Sequence, residues 1–370
     1  MAELPNKFAE FLSDIRPTEE QINDYIQGHE TLRERLTSDD ELSKIHVGDF
    51  LQGSYARSTA VRPVGDEKSD VDVAFVTNLL KDDYTPSDAM ELCEPFLDRY
   101  YRGRWETNQR SYQIELSNIE IDLVLTAAPS EAIQRELTRE GSIGKGDIEL
   151  MAKQGDTGIV ANMIDATFKD AQKDWREEPL DIPDRELEYW DETHPWATID
   201  WTRRMNDRTD GHYVNVVKAI KWWRRNKVDI PKHPKSYPLE RIIAECCPTY
   251  ISSVAEGVSR TFNVFLDKYE SDAKLENTPT LGQHGLPEKN VLSRITGQDF
   301  AAFYDQVIVA AEMANQAIQE PDEVTAAQMW RNLFGEKFPL VGEPDDDSRQ
   351  EDVKLSPPSG STNVSSQRFG

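Results

Sequence analysis

Asp70 and Asp72 stand two residues apart within an apolar run that includes Val71, Val73, Phe75 and Val76. In a strand, residues i and i+2 project from one face. The two carboxylates therefore point the same way while their neighbours anchor the strand in a core. Paired carboxylates in such a setting repel each other and are poorly solvated, and a cation relieves both costs. Mg²⁺ suits them, since it prefers hard oxygen ligands and keeps positions for substrate phosphates. Upstream, Gly53-Ser54 offers a tight turn whose backbone N–H groups can approach a phosphate, with a hydroxyl beside them. A third carboxylate, Asp122, sits in the run Ile119–Leu125, where Ile119, Ile121, Leu123 and Leu125 share one face and Glu120, Asp122 and Val124 the other. If that strand lies beside the first, Asp122 becomes a third metal ligand and the base, or the positioner of the base, for an attacking ribose hydroxyl. An isolated D-x-D is most often a solvated strand face. The glycine-serine turn and the third aspartate are what make metal-assisted nucleotidyl transfer the better reading.

The order Gly-Ser, D-x-D, then a lone Asp in a later strand resembles the polymerase-β-like nucleotidyltransferases. The longer stretch GSYARSTAVRP…DVDVAFVTN is similar to the bacterial cGAS/DncV-like nucleotidyltransferases (CD-NTases), nearest to their clade D. The likeness runs through NKFAEFLSDIRPT, GHYVNVVKAIKWWRR, PKSYPLERII and MWRNLFGEKFPL. It implies a synthase that joins ATP and GTP into a cyclic trinucleotide of adenine and guanine. The mechanism implied is two-ion chemistry with Mg²⁺ or Mn²⁺ on Asp70, Asp72 and Asp122, and the product would signal to a downstream effector in anti-phage defence (CBASS). It also implies that Lys221 and Ser236 contact the triphosphate and that Tyr237 stacks on a base. Lys218, three residues before Lys221 on the same helical face, is a further candidate for the phosphates. Some members are joined through their C-terminus to other molecules by ubiquitin-style (E1/E2-type) ligases, which makes Gly370, at the end of the chain, a candidate conjugation point. Two other readings stay open: a linear-chain or acceptor-directed nucleotidyltransferase, and a nucleotide-gated scaffold acting through its tail.

Charge narrows the substrate class. The chain carries 42 Lys+Arg against 68 Asp+Glu, a net charge of −26, which argues against a broad phosphate-binding surface for a nucleic-acid polymer. Small nucleotides fit better. Cys93, Cys246 and Cys247 show neither a disulfide framework nor zinc spacing, and the six histidines are scattered. No leader-like or membrane-spanning run is evident, so a cytoplasmic protein is expected.

These residues need a frame to hold them. Phe8, Phe11, Leu12 and Ile15 fit a helical stripe, and Pro17-Thr18-Glu19-Glu20 opens a long second helix over about 18–37. A strand through Ile45–Leu51 leads into the glycine-serine turn. Asp88–Tyr101 reads as one amphipathic helix, and Arg104–Leu116 and Ile119–Ala127 read as two strands joined at Ser117-Asn118. Residues 128–210, punctuated by Trp175, Trp190, Trp196 and Trp201, read as a long excursion that clamps two lobes by packing. Within it, Pro183–Arg185 and Trp196–Arg204 are expected to re-enter the sheet. From Gly211 the pattern is helical. The expected architecture is α+β: a polymerase-β-like nucleotidyltransferase lobe over 1–210, a helical lobe over 211–340, and a disordered tail over 341–370, with the site in the cleft between the lobes. Arg57, after the turn, is read as pairing with Asp66 or Glu67 in preference to a phosphate.

Overall fold

The computed structural model describes residues 3–65, 67–128, 178–227 and 230–342. The predicted tail beyond Gly342, Gly370 included, lies outside them, as do Trp175 and Asp66.

Helix α1 (Pro5–Ile15) carries its stripe on Phe8, Phe11, Leu12 and Ile15, all buried. Helix α2 (Glu19–Ser38) starts at a capping box: Gln21 N–H donates to Thr18 Oγ1 (3.1 Å), and Thr18 N–H donates to Gln21 Oε1 (2.9 Å). This satisfies two N–H groups that a helix start leaves orphaned. Tyr25, Gly28, His29, Leu32 and Leu36 face inward at helical spacing. A Cβ on Gly28 would meet Ile119 Cδ1 at 2.6 Å, so the missing side chain lets this helix lie close on the sheet.

The sheet is five-stranded and mixed. Its strands are β1 (His46–Gln52), β2 (Ser69–Thr77), β3 (Trp105–Thr107), β4 (Tyr112–Glu115) and β5 (Ile119–Thr126), in the order β1-β2-β5-β4-β3. β2 and β5 run parallel and are flanked by antiparallel neighbours. Two expectations are corrected here. Asp88–Tyr101 is not one helix but two, α5 (Pro86–Glu91) and α6 (Glu94–Tyr100). Pro95 lacks the N–H that would carry a helix across the break. Arg104–Leu116 is not one strand but the hairpin β3–β4, with Asn108–Ser111 as its turn.

The next described strand, β6 (Leu180–Asp184), pairs with β7 (Tyr189–Thr193) in a separate two-stranded sheet. Trp196–Arg204 lies within a helix, α7 (Pro195–Arg208). Neither segment re-enters the main sheet. Proline at the first turn and the His194 cap on Ala197 N–H favour the helix. The tryptophans of α7 pack in two directions, Trp196 on Phe50 of β1 (5.0 Å between rings) and Trp201 on Tyr213 and His284.

A short helix, α3 (Leu42–Ile45), precedes β1. The helices after α7 are α8 (His212–Arg225), α9 (Ser236–Cys246), α10 (Val254–Lys274), α11 (Gly297–Gln319) and α12 (Glu323–Phe334), with a small hairpin β8 (Gly282–Gln283)–β9 (Leu286–Asn290) before α11. They enclose a second hydrophobic core, distinct from the one behind the sheet. Helix α1, placed by sequence with the first lobe, buries its stripe in this second core. Phe11 stacks on Phe334 at 4.6 Å, and Phe8 sits edge-on to Trp330 and Phe338. Phe11→Ala should therefore cost about 3–5 kcal/mol of stability, measurable as a lowered urea midpoint. A change under about 1 kcal/mol would mean that the aromatic cluster closes without this ring. The three cysteines are buried free thiols, and no described helix is long and apolar enough to cross a membrane.

Candidate active site

Three strands place the carboxylates. In register, Gln52 of β1 lies beside Asp72, Asp72 beside Asp122 of β5, and Asp70 beside Glu120. Gly53 follows Gln52 directly and opens the single turn α4 (Gly53–Ala56) at φ +72°. A Cβ there would lie 2.6 Å from Asp72 Cγ, closer than any side chain can stand. The glycine thus serves two needs, a left-handed backbone and room for the Asp72 carboxylate.

Asp122 is held by the β3–β4 turn. Ser111 Oγ–H donates to its Oδ1 (3.2 Å), and Asn108 Nδ2 reaches the same oxygen at 3.4 Å. Burial pushes its pKa up to about 7, with the Asp72 and Asp70 charges adding to the rise and the Ser111 and Asn108 bonds opposing it. Burial likewise lifts Asp72 to about 6; the Arg57 charge opposes that rise, and Asp70 and Glu240 add to it. Asp70 is exposed to the cleft, yet desolvation by the cleft walls still raises its pKa. Asp70 and Asp72 have no hydrogen-bond or ion-pair partner among the described residues. A trio of crowded carboxylates is a set of hard oxygen donors that calls for a hard cation. Among the described residues no three or more carboxylate, imidazole or thiol groups stand close enough together to hold a metal ion by themselves.

The carboxylates floor a cleft of about 690 Å³ whose walls include Gly53, Ser54, Lys221, Ser236 and Tyr237. Lys218 is the exception among the predicted site residues. It is buried, stands outside the cleft lining, and has its pKa driven well below the usual lysine value, first by burial and then by the Arg16 and Lys221 charges. It belongs to the core side of α8, because a three-residue spacing puts two lysines near one face without fixing their depth. The expected partner of Arg57 is corrected as well. Its Nε–H donates to Glu240 Oε2 (3.0 Å), while Glu67 is taken by Arg225. The structural role holds, but the partner lies 183 residues away.

Sequence reasoning missed several cleft residues. Glu120, Tyr25, Lys235, Arg224 and Arg225 line it, and Glu240 ties two of its groups, Arg57 and Lys221, to Thr59 behind them. Glu120 was legible, being on the same strand face as Asp122. Glu240 left no such mark, since its partners come from distant segments.

A mixed sheet that carries this turn and these carboxylates, faced by a helical lobe, defines the class of polymerase-β-like nucleotidyltransferases. Residues 2–127 match the family model of the Second Messenger Oligonucleotide or Dinucleotide Synthetase domain. The chain is 42% identical over 356 residues to the cyclic AMP-AMP-GMP synthase of Enterobacter hormaechei subsp. hoffmannii (strain UCI 50), covering 92% of this chain and 93% of that protein. It is 30% identical over 338 residues to the cyclic AMP-AMP-AMP synthase of Acinetobacter sp. (strain ATCC 27244 / 9458), covering 90% and 84%. The Bradyrhizobium diazoefficiens CD-NTase CdnG, solved in complex with GTP, shares the fold with a TM-score of 0.65 at 12% identity, covering 90% of this chain and 96% of that one. The chain belongs to the CD-NTases, the family of these second-messenger synthases, and is a nucleotidyltransferase.

Proposed function

We propose that the chain joins ATP and GTP into a cyclic trinucleotide of adenine and guanine that serves as an alarm in anti-phage defence. The observation that carries the chemistry is the Gln52–Asp72–Asp122 register across β1, β2 and β5, with Gly53 next in the chain packed against the Asp72 carboxylate. The base composition is supported by the 42% identity to a cyclic AMP-AMP-GMP synthase, against 30% to a cyclic AMP-AMP-AMP synthase.

In this reading Asp70, Asp72 and Asp122 would hold two divalent ions, Mg²⁺ or Mn²⁺, which would supply positive charge to offset the reacting phosphates and acidify the attacking hydroxyl. A ribose hydroxyl oxygen bonds to the α-phosphorus of a second nucleotide as the bond to pyrophosphate breaks, and the hydroxyl proton passes to Asp122. Gly53 and Ser54 bring backbone and hydroxyl donors to the triphosphate, Lys221 and Ser236 add theirs from the helical side, and Tyr237 offers its ring to the base. Repetition and a final intramolecular attack close the ring.

The test is incubation of the purified chain with labelled ATP, GTP, CTP and UTP plus Mg²⁺ or Mn²⁺, then phosphatase and mass spectrometry. A phosphatase-resistant species with the mass of cyclic AMP-AMP-GMP is expected. A product wholly degraded by phosphatase would turn the reading to linear or acceptor-directed transfer.

A further inference from the structure

Glu240 is a buried carboxylate, 5% exposed, that the nucleotidyl-transfer chemistry leaves without a role. It lies one turn into α9, four residues after Ser236 and three after Tyr237. Each of its oxygens is taken by groups at the cleft. Lys221 Nζ donates to Oε1 at 2.7 Å; Arg57 Nε–H and Thr59 Oγ–H donate to Oε2 at 3.0 and 2.9 Å. Lys221 also donates to the Thr59 carbonyl at 2.9 Å. An ammonium has three donors, so two are committed and one is left for a phosphate oxygen. The Arg57 guanidinium lies over the Tyr237 ring, 5.4 Å from its centroid. One carboxylate thus fixes the lysine at the triphosphate end of the cleft and the arginine that backs its aromatic wall. It also ties both to the segment just after the Gly53–Ala56 turn. Two cations share this one carboxylate, so the cluster keeps a net positive charge where a triphosphate would sit. A buried charge pair of this kind is costly to break from one side, because the remaining charge is stranded.

We propose that Glu240 is a positioning residue for the donor nucleotide, acting through Lys221 and Arg57 to set the distance between the triphosphate contacts and the catalytic turn. The inference rests on the assignment of the donor nucleotide to this cleft.

The experiment is a double-substitution cycle on the full-length chain, read as the affinity for α,β-methylene-ATP with Mg²⁺ by calorimetry. Glu240→Gln keeps the shape and removes the charge, and should weaken binding about 10- to 100-fold. In a Lys221→Ala background the same change should weaken it less than about 3-fold, because the lysine carries the larger share of the effect and only the Arg57 arm is left. Equal losses in both backgrounds would make Glu240 a structural prop and overturn the proposal. So would unchanged or tighter binding by Glu240→Gln, the latter marking the carboxylate as a competitor of phosphate. Glu240→Asp keeps the balancing charge, and hence the fold, while drawing the carboxylate back by one methylene. It should lose about 5-fold, and wild-type affinity in that variant would also overturn the proposal. If the wild-type chain binds the analogue and shows the coupling but yields no phosphatase-resistant product, the cyclisation reading fails and this inference stands. If a resistant product forms but the two substitutions do not couple, the cyclisation reading stands and this inference fails.

Discussion

Asp72→Asn should reduce nucleotide incorporation by about 10³-fold or more, the equivalent of several kcal/mol of lost charge stabilisation at tenfold per 1.36 kcal/mol. The same substitution should raise the stability of the metal-free protein at neutral pH. Asp72 lies beside Asp122 in the parallel register, and both pKa values stand above the ordinary carboxylate value, at about 6 and about 7. A folded-state pKa above the unfolded one means that the folded chain binds protons more tightly. Stability from this pair is then complete below about pH 4 and is lost as pH rises through about 6 to 7. Thermal melts in chelator should show that decline in the wild type and a flatter profile in Asp72→Asn. At a pH of about 7.5, above both values, Mg²⁺ should restore the wild type and add little to the variant. A variant that melts lower than wild type in chelator at that pH would mean that the carboxylates are not in mutual repulsion. Retained incorporation would remove Asp72 from the chemistry altogether.

Gly53→Ala is the second large effect, and it acts through geometry alone. The added methyl must coexist with the Asp72 carboxylate, whose Cγ would be 2.6 Å away, at a φ of +72° that alanine resists. The backbone strain costs about 1–3 kcal/mol. Asp72 must also move, and a shift of about 1 Å at a reacting centre can cost about 100-fold in rate. We expect kcat to fall by about that factor with a folded, slightly destabilised protein, measured by single-turnover incorporation and thermal melts. If the rate holds while stability drops, the glycine serves only the turn, and Asp72 tolerates displacement.

Much of the catalytic face was legible because it obeys short-range rules. The i, i+2 spacing of Asp70 and Asp72 and the apolar alternation of β5 lie within a few residues. Proline carries a signal that amphipathic spacing hides: the apolar stripe runs on across Pro95, but the helix breaks just before it and a new one starts. Asn108–Ser111 likewise have the composition of a turn, inside a stretch whose length alone suggests one strand. The donor side of the cleft was harder to read. Lys221 and Lys218 look alike on a helical projection, yet one lines the cleft and the other is buried beside it. Depth depends on what packs against α8, which no local pattern records. Glu240 is the extreme case, a charged residue in an apolar helix whose purpose emerges only when residues 57, 59 and 221 meet around it.

The burial of α1 among residues 330–338 has a consequence for how the enzyme comes into being. On the ribosome, the sheet and its carboxylates are complete once β5 has emerged, but the stripe of Phe8, Phe11, Leu12 and Ile15 meets α8 and α10 only later and gains its full aromatic cluster when Trp330, Phe334 and Phe338 follow. The first helix made is therefore among the last to complete its packing. Until then the nascent chain exposes an aromatic-rich segment, and the wall that brings Lys221 and Tyr237 over the carboxylates is unfinished. The nucleotidyl-transfer cleft is thereby finished only when the helical lobe is.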